Sequence, residues 1–330
     1  MPLLEHAKLP SYLAAAFQDL YEEDGLLVCG RGMGLLHLVA SFCRFYVDPE
    51  EGHVVLLQDE LQAEKEKLQS ALPSLSESKR RLHGTISNNN SNNNSNNGSS
   101  NSSQNRCIQQ IESIQQEINS RKPLIFVIGL RDYERACLIA ILERWGTPTD
   151  LLPTEITNES GQGKDRSVLY ARGGIFLITS RILIVDLLTH VASPKSIDGI
   201  LVAHAENISE QSTEAFILRI YRTQKRFGNY TRDADDSILE QSPILQSHRN
   251  GFIKAFSDHP DSLMSGFAKV DKILKALFVR RLYIYPRFHD LVIEDLERTP
   301  PIVEELHQTL SPRMIDIQAS IAAAVVVREE

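Results

Sequence analysis

Residues 25–36 read GLLVCGRGMGLL, and this stretch decides the fold. An apolar strand, Leu26 to Cys29, runs into three closely spaced glycines, and an apolar segment of helical character follows. A strand, a glycine-rich loop and a helix N-terminus together form a cradle that binds phosphate through backbone N–H groups. The stretch therefore predicts the first strand–loop–helix unit of an α/β fold.

The same loop lacks the side chains that nucleotide chemistry needs. A working phosphate loop is followed by a Lys that contacts the β- and γ-phosphates and by a Ser or Thr that binds magnesium. Here Leu35 and Leu36 stand directly after Gly34, and neither side chain can donate a hydrogen bond or hold a metal. We interpret Gly32, Gly34, Leu35 and Leu36 as a degenerate nucleotide loop.

Apolar segments alternate with helical ones along the rest of the α/β part. Four segments predict further strands, at 124–128, 174–179, 197–203 and 251–257. Such alternation is typical of a parallel sheet that is covered by helices on both faces. We predict a RecA-like parallel-sheet domain over residues 1–258, followed by the beginning of an α-helical domain over 259–330.

Two polar stretches interrupt this pattern. Residues 87–105 are almost entirely Asn and Ser, so they have no apolar surface to bury and are expected to be disordered. Residues 229–250 form a second polar insertion. The chain stops inside an apolar helix, 312–327, which we expect to be poorly packed because the chain is a piece of a longer protein.

Composition sets limits on the class of protein. A net charge of −8, with 42% apolar and 24% charged residues, is ordinary for a soluble globular protein and leaves room for a local basic stripe. The four cysteines lack CxxC spacing, so we predict no metal site. The most apolar segment, 174–188, contains Arg181 and Asp186, so we predict no membrane span and no membrane partner.

Four segments resemble one family. Residues 173–188 read GGIFLITSRILIVDLL, and the other three are EAFILR at 214–219, GFIKAF at 251–256 and FVRRLYIYPRFH at 278–289. Their order and spacing resemble those of the XPF family, the large subunits of structure-specific DNA repair endonucleases. The resemblance covers roughly residues 10–320, apart from the two polar insertions.

This resemblance implies a superfamily-2 helicase-like module whose ATPase has decayed. Where such a helicase has Asp-Glu-Ala-His after an apolar strand, residues 203–206 read Ala203, His204, Ala205, Glu206. The Asp that would coordinate magnesium and the Glu that would polarise water are missing. His204 and Glu206 can be interpreted as a relocated acid/base pair, but we favour the interpretation that they are surface residues following a strand.

The nuclease of the family lies in a later domain around a Glu-Arg-Lys motif, and that triplet does not occur in this sequence. We therefore expect no catalytic residue and no cofactor in this chain. The resemblance implies that Mg²⁺ serves the absent nuclease domain. It also implies that the small partner subunit binds an absent C-terminal region.

Two groups of residues are candidate DNA contacts. Thr179, Ser180 and Arg181 lie at the end of a predicted strand, where hydroxyl and backbone N–H groups can hold phosphates; alternatively, Thr179 or Ser180 merely caps the next helix. The second group is a run in which arginines alternate with aromatic residues: Arg280, Arg281, Tyr283, Tyr285, Arg287, Phe288. Its alternative is an ordinary strand whose arginines face solvent or pair with acids.

These observations favour a nuclear DNA-binding or scaffold portion of a repair endonuclease, one that binds branched or damaged DNA in nucleotide excision and interstrand crosslink repair without hydrolysing ATP. The alternative is a protein-interaction scaffold, in which the helical region from about residue 260 holds repair scaffold proteins and DNA is bound elsewhere. An active ATPase is a third reading, and Leu35, Leu36, Ala203 and His204 argue against it.

Overall fold

The computed structural model describes residues 9–50, 52–63, 65–66, 109, 111–116, 118, 122–157, 163–230, 251–264, 269–298 and 304–329. The predicted insertion at 87–105 lies outside them. Of the second insertion, residues 229 and 230 end a helix and the rest lies outside. The chain divides into two compact units, Met1–Ile293 and Glu294–Glu330.

A seven-stranded sheet forms the centre of the first unit, and all its strand pairs are parallel. The strands are β1 Gly25–Cys29, β2 Leu124–Ile128, β3 Thr154–Ile156, β4 Gly174–Ile178, β5 Gly199–Val202, β6 Phe252–Ser257 and β7 Arg281–Tyr285. Their order across the sheet is β3-β4-β2-β5-β6-β1-β7. The predicted α/β class is confirmed.

Helices connect these strands. They are α1 Ser11–Glu22, α2 Leu35–Val47, α3 Asp132–Arg144, α4 Gly163–Arg172, α5 Ser180–Leu188, α6 Thr213–Tyr230, α7 Pro260–Met264, α8 Lys269–Leu277, α9 Asp290–Arg298 and α10 Pro312–Glu329. Residues 53–63 and 111–116 are also helical. In the part of the chain that the structure describes, no helix has the length and apolar character needed to cross a membrane.

The sheet has an apolar core on each face because alternate side chains of a strand point to opposite faces. In β1, Leu27 and Cys29 belong to one core, and Leu26 and Val28 belong to the other. Central strands are therefore buried on both sides, which explains their unbroken apolar sequence. A rigid sheet of this kind fixes the positions of the loops that leave its strand ends.

Strand β7 extends the sheet beyond residue 258, the predicted end of the RecA-like domain. Its residues pair in register with β1, with Leu27 opposite Tyr283. The run of arginines and aromatic residues thus contains an ordinary strand, which was the alternative interpretation. In the second unit, the described side chains of α10 are exposed, and the large apolar ones among them are Met314, Ile315, Ile317 and Ile321.

Candidate functional site at the carboxyl ends of the strands

The carboxyl ends of parallel strands meet at one edge of a sheet, and ligands of α/β proteins bind at that edge. We call it the carboxyl edge. The glycine loop after β1, residues 203–206 after β5, and the residues that follow β2, β4, β6 and β7 all lie along it. The carboxyl edge therefore collects most of the predicted site residues.

The glycine loop keeps the backbone shape of a phosphate loop. Gly32 and Gly34 have φ values of 77° and 79°, in the left-handed region that favours glycine, and Gly34 is the residue before α2. Met33 between them is buried, and its carbonyl accepts a 3.0 Å hydrogen bond from the Tyr12 hydroxyl. Side chains of the protein therefore hold the loop in place.

The residues around this loop do not fit a magnesium nucleotide. Leu35 is buried in the core, so its side chain points away from the space a phosphate would take. Arg287, from the loop after β7, donates a 2.7 Å hydrogen bond from Nη2 to the carbonyl of Arg31. The Cγ of Arg287 and the Sδ of Met33 both lie close to Gly30. The chain's own side chains thus lie against the loop.

His204 and Glu206 are buried, with exposed fractions of 6% and 5%, so the interpretation of these residues as surface residues is wrong. His204 has a φ of 52°, in the left-handed region. Its Nε2 lies 2.9 Å from both carboxylate oxygens of Glu134, at the start of α3, and its Nδ1 lies 3.3 Å from Oε1 of Glu206.

The last residue of β6 and the two residues after it complete this group. The Ser257 hydroxyl donates a 2.6 Å hydrogen bond to Oε2 of Glu206. The Nδ1 of His259 lies 2.7 Å from Oδ1 of Asp258 and 3.5 Å from Oε1 of Glu206. We call the six residues the edge cluster: Glu134, His204, Glu206, Ser257, Asp258 and His259.

Charge in the edge cluster follows from these contacts. Hydrogen bonds with Glu206 and then Glu134 raise the pKa of His204 to about 9, although burial opposes the charge. Burial also opposes ionisation of Glu206, but His204 and Ser257 bond its carboxylate and leave its pKa lowered. At neutral pH an imidazolium therefore lies between two carboxylates, at the strand end where the helicase motif has its magnesium-binding Asp.

The predicted group after β4 lies where the sequence placed it, at the carboxyl edge. Thr179 is the residue before α5, yet its side chain makes no capping hydrogen bond. Thr179 and Ser180 are half-buried and Arg181 is exposed. The Thr179 hydroxyl therefore does not cap the helix, so the alternative interpretation does not hold for Thr179.

The predicted arginine run is divided between the two edges of the sheet. Arg280 and Arg281 lie at the amino end of β7, where Arg281 forms an ion pair with Glu23, whereas Arg287 follows the carboxyl end. A five-residue strand separates them by about 16 Å. The predicted arginines thus do not form one patch.

Instead, exposed arginines line the carboxyl edge, in the loops after β1, β2 and β7 and in the first turn of α5: Arg31, Arg131, Arg287 and Arg181. Among the described residues, no carboxylate lies within ion-pair distance of their guanidinium groups. Strands β4 and β7 are five strand spacings apart, or about 24 Å. The sequence analysis missed Arg31 and Arg131, although both lie within three residues of the end of a predicted strand.

No protein-family profile matches the chain. It is 36% identical over 315 residues to DNA repair protein rad16 of Schizosaccharomyces pombe, an alignment that covers 96% of the chain and 25% of the relative. It is 37% identical over 198 residues to DNA repair endonuclease XPF of Cricetulus griseus, covering 60% and 19%. The chain thus spans about a quarter or less of the length of these relatives.

Among solved structures, the Hef helicase domain of Pyrococcus furiosus is similar in fold. The TM-score is 0.50 at 11% identity, and the match covers 88% of this chain and 40% of that one. Similarity at this identity concerns the fold alone. It confirms the predicted RecA-like, helicase-like architecture.

Proposed function

The chain belongs to the XPF family of DNA repair endonucleases, and on that premise we propose that it is a helicase-like module that binds branched DNA without hydrolysing ATP. The observation that carries this proposal is the row of exposed arginines along the carboxyl edge. Guanidinium groups without a carboxylate partner are suited to phosphate, which supplies most of the affinity in DNA binding.

The length of this row suits a nucleic-acid strand. Its span of about 24 Å corresponds to about seven phosphate steps of a duplex strand. Thr179 and Ser180 add hydroxyl groups at one end of the row, beside Arg181. Phe288, which is 79% exposed beside Arg287, offers a ring on which an unpaired base can stack.

In the whole protein, this module would hold a junction between single-stranded and double-stranded DNA while a nuclease outside this chain cuts. That role belongs to nucleotide excision repair and interstrand crosslink repair in the nucleus. The Mg²⁺ of the nuclease and the contact with a small partner subunit would both lie outside this chain.

A test of DNA binding uses Arg181→Ala combined with Arg287→Ala. The double variant is expected to bind DNA more weakly and to lower the slope of log K against log salt by about 1.4–1.8, because two phosphate contacts are lost. The measurement is fluorescence anisotropy with labelled splayed-arm, duplex and single-stranded DNA across a salt series. The wild-type chain is expected to prefer the splayed arm.

Arg280→Ala is the matched control. Arg280 is an exposed arginine at the opposite edge of the sheet, so its loss should leave the salt slope unchanged. A loss for Arg280→Ala that equals or exceeds that of the double variant would contradict the carboxyl edge as the DNA surface. Absence of binding to all three DNAs near physiological salt would contradict DNA binding altogether.

A second test concerns ATP. We expect no phosphate release above the buffer rate and no rise in Tm with Mg²⁺-ATP, because the loop offers neither Lys nor hydroxyl to the phosphates. The measurements are a phosphate-release assay and thermal unfolding. Turnover that is present in the wild-type chain and absent in a folded Gly32→Val variant would mean that the loop works.

A protein-interaction scaffold is the second candidate. The observation that favours it is the exposed apolar surface of α10 in the second unit. It would become the leading function if the chain binds none of the DNAs in the anisotropy experiment.

A further inference from the structure

We propose that the edge cluster binds a divalent transition-metal ion of the Zn²⁺ class. The ligand atoms are Nδ1 of His204, Oε1 of Glu206, Oδ1 of Asp258 and Nδ1 of His259, which all lie within 4.8 Å of one another. The prediction of no metal site was drawn from the spacing of cysteines, which does not bear on a site made of histidines and carboxylates.

The spacing of these atoms suits a tetrahedral ion. Zinc binds nitrogen and oxygen ligands at about 2.0–2.2 Å, which places neighbouring ligand atoms about 3.3–3.6 Å apart. The Nδ1 of His204 lies 3.3 Å from Glu206 and 3.9 Å from Asp258. The Nδ1 of His259 lies 3.5 Å from Glu206 and 2.7 Å from Asp258. Movements of the ligand atoms by about 0.5–0.7 Å would bring these distances to the tetrahedral value.

The backbone holds the four ligands on a rigid base. Two of them follow β5 and two follow β6, and these strands are hydrogen-bonded neighbours near the centre of the sheet, with Val202 opposite Ala255. A metal would therefore join two adjacent strand ends that are already fixed, so ligand ordering costs little on binding.

Two of the ligand side chains are also held by hydrogen bonds through their other polar atom, as in known metal sites. A metal-binding histidine usually donates its other ring N–H to a carboxylate, which fixes the ring and its tautomer. The Nε2 of His204 has such a partner in Glu134, on a different element of the fold, at 2.9 Å. The second oxygen of Glu206 is likewise held by Ser257, at 2.6 Å.

The donor set selects the kind of ion. Two imidazole nitrogens and two carboxylate oxygens suit Zn²⁺ and its neighbours, whereas Mg²⁺ and Ca²⁺ prefer six or more oxygen ligands. The two ligating carboxylates balance the charge of a divalent ion.

The experiment uses the chain after treatment with a chelator. Isothermal titration with Zn²⁺ should give one site per chain and a rise in Tm, and Co²⁺ should give the intense visible absorption of tetrahedral coordination. His204→Asn and His259→Asn should each weaken the affinity at least about 100-fold, and Glu134→Gln should weaken it about 10–100-fold. Mg²⁺ should not compete.

His190→Asn is the matched control, because His190 is an exposed histidine with a φ of 58° and lies outside the cluster. Asn tolerates this backbone conformation, so neither His190→Asn nor His204→Asn adds strain. If His204→Asn fails to fold, the Zn²⁺ affinity of His259→Asn, a substitution at a half-buried position, still tests the proposal. The proposal is overturned if the wild-type chain binds no Zn²⁺, or if His259→Asn binds it as tightly as His190→Asn does.

Discussion

Asp186→Ala is expected to lower the free energy of unfolding by about 3–5 kcal/mol, because it removes the fully buried carboxylate of an ion pair and leaves the buried Tyr170 hydroxyl without its acceptor. Asp186 is fully buried, and its carboxylate accepts hydrogen bonds of 2.7 and 2.9 Å from Arg166 and of 2.8 Å from the Tyr170 hydroxyl. These bonds join α4 to α5. Urea unfolding followed by circular dichroism measures the loss.

Asp271→Ala serves as the control for this variant. Asp271 also forms an ion pair, with Lys275 at 2.7 Å, but both side chains are largely exposed. Exposed pairs one helical turn apart contribute little to stability, because solvent screens their charges. Equal losses for the two variants would mean that the Asp186 contacts do not stabilise the fold.

Asp186 belongs to the segment 173–188, which resembles the family. Its contacts with Arg166 and Tyr170 give it a structural explanation, and no catalytic one is needed.

Asp24→Ala is expected to lower the free energy of unfolding by a similar amount, about 3–5 kcal/mol at neutral pH, because it leaves the buried Lys254 without its carboxylate partner. Lys254 is 3% exposed, and its Nζ lies 3.2 Å from Asp24 and 3.1 Å from the Tyr21 carbonyl. Asp24 also pairs with Arg222 and accepts a 3.1 Å hydrogen bond from the Ile253 N–H.

Two further measurements separate the causes. Lys254→Met in the Asp24→Ala background should recover part of the loss, because an apolar side chain replaces the buried charge. Burial lowers the pKa of Lys254 below its ordinary value of 10.5, even though Asp24 raises it. At pH values between the lowered pKa of Lys254 in the folded chain and 10.5, the unfolded chain binds more protons than the folded one. The free energy of unfolding therefore rises with pH in this interval.

Without Asp24, the pKa of Lys254 should fall further, which widens this window toward neutral pH. The deficit of Asp24→Ala should therefore shrink as the pH approaches 10.5 from below. A deficit that is constant over this range, with no recovery by Lys254→Met, would assign the loss to Arg222 and the Ile253 N–H instead.

Sequence pattern predicted the central strands because burial on both faces leaves an unbroken apolar run. The segment 124–128 is confirmed to the residue, and 251–257 differs from β6 by one residue. The edge strands carry no such signal. Strand β3 has three residues, of which only Ile156 is buried, and four of the five residues of β7 are at least partly exposed.

The edge cluster could not be predicted from the sequence, for a different reason. His204 and Glu206 were recognised by their place after a strand, and His259 equally follows a predicted strand. Their proximity depends on β5 and β6 being neighbours, and a parallel strand order is not encoded in local pattern. The left-handed backbone of His204 is likewise not indicated by the local sequence pattern.

Arg287 lies against the glycine loop through its hydrogen bond to the Arg31 carbonyl. If the chain binds DNA without hydrolysing ATP, as proposed, it works at equilibrium, and detailed balance would hold for each of its steps on DNA. It cannot move in a preferred direction or separate strands by repeated cycles. Any opening or bending that it imposes must be offset by the contacts formed, and a DNA that is already splayed needs the least distortion.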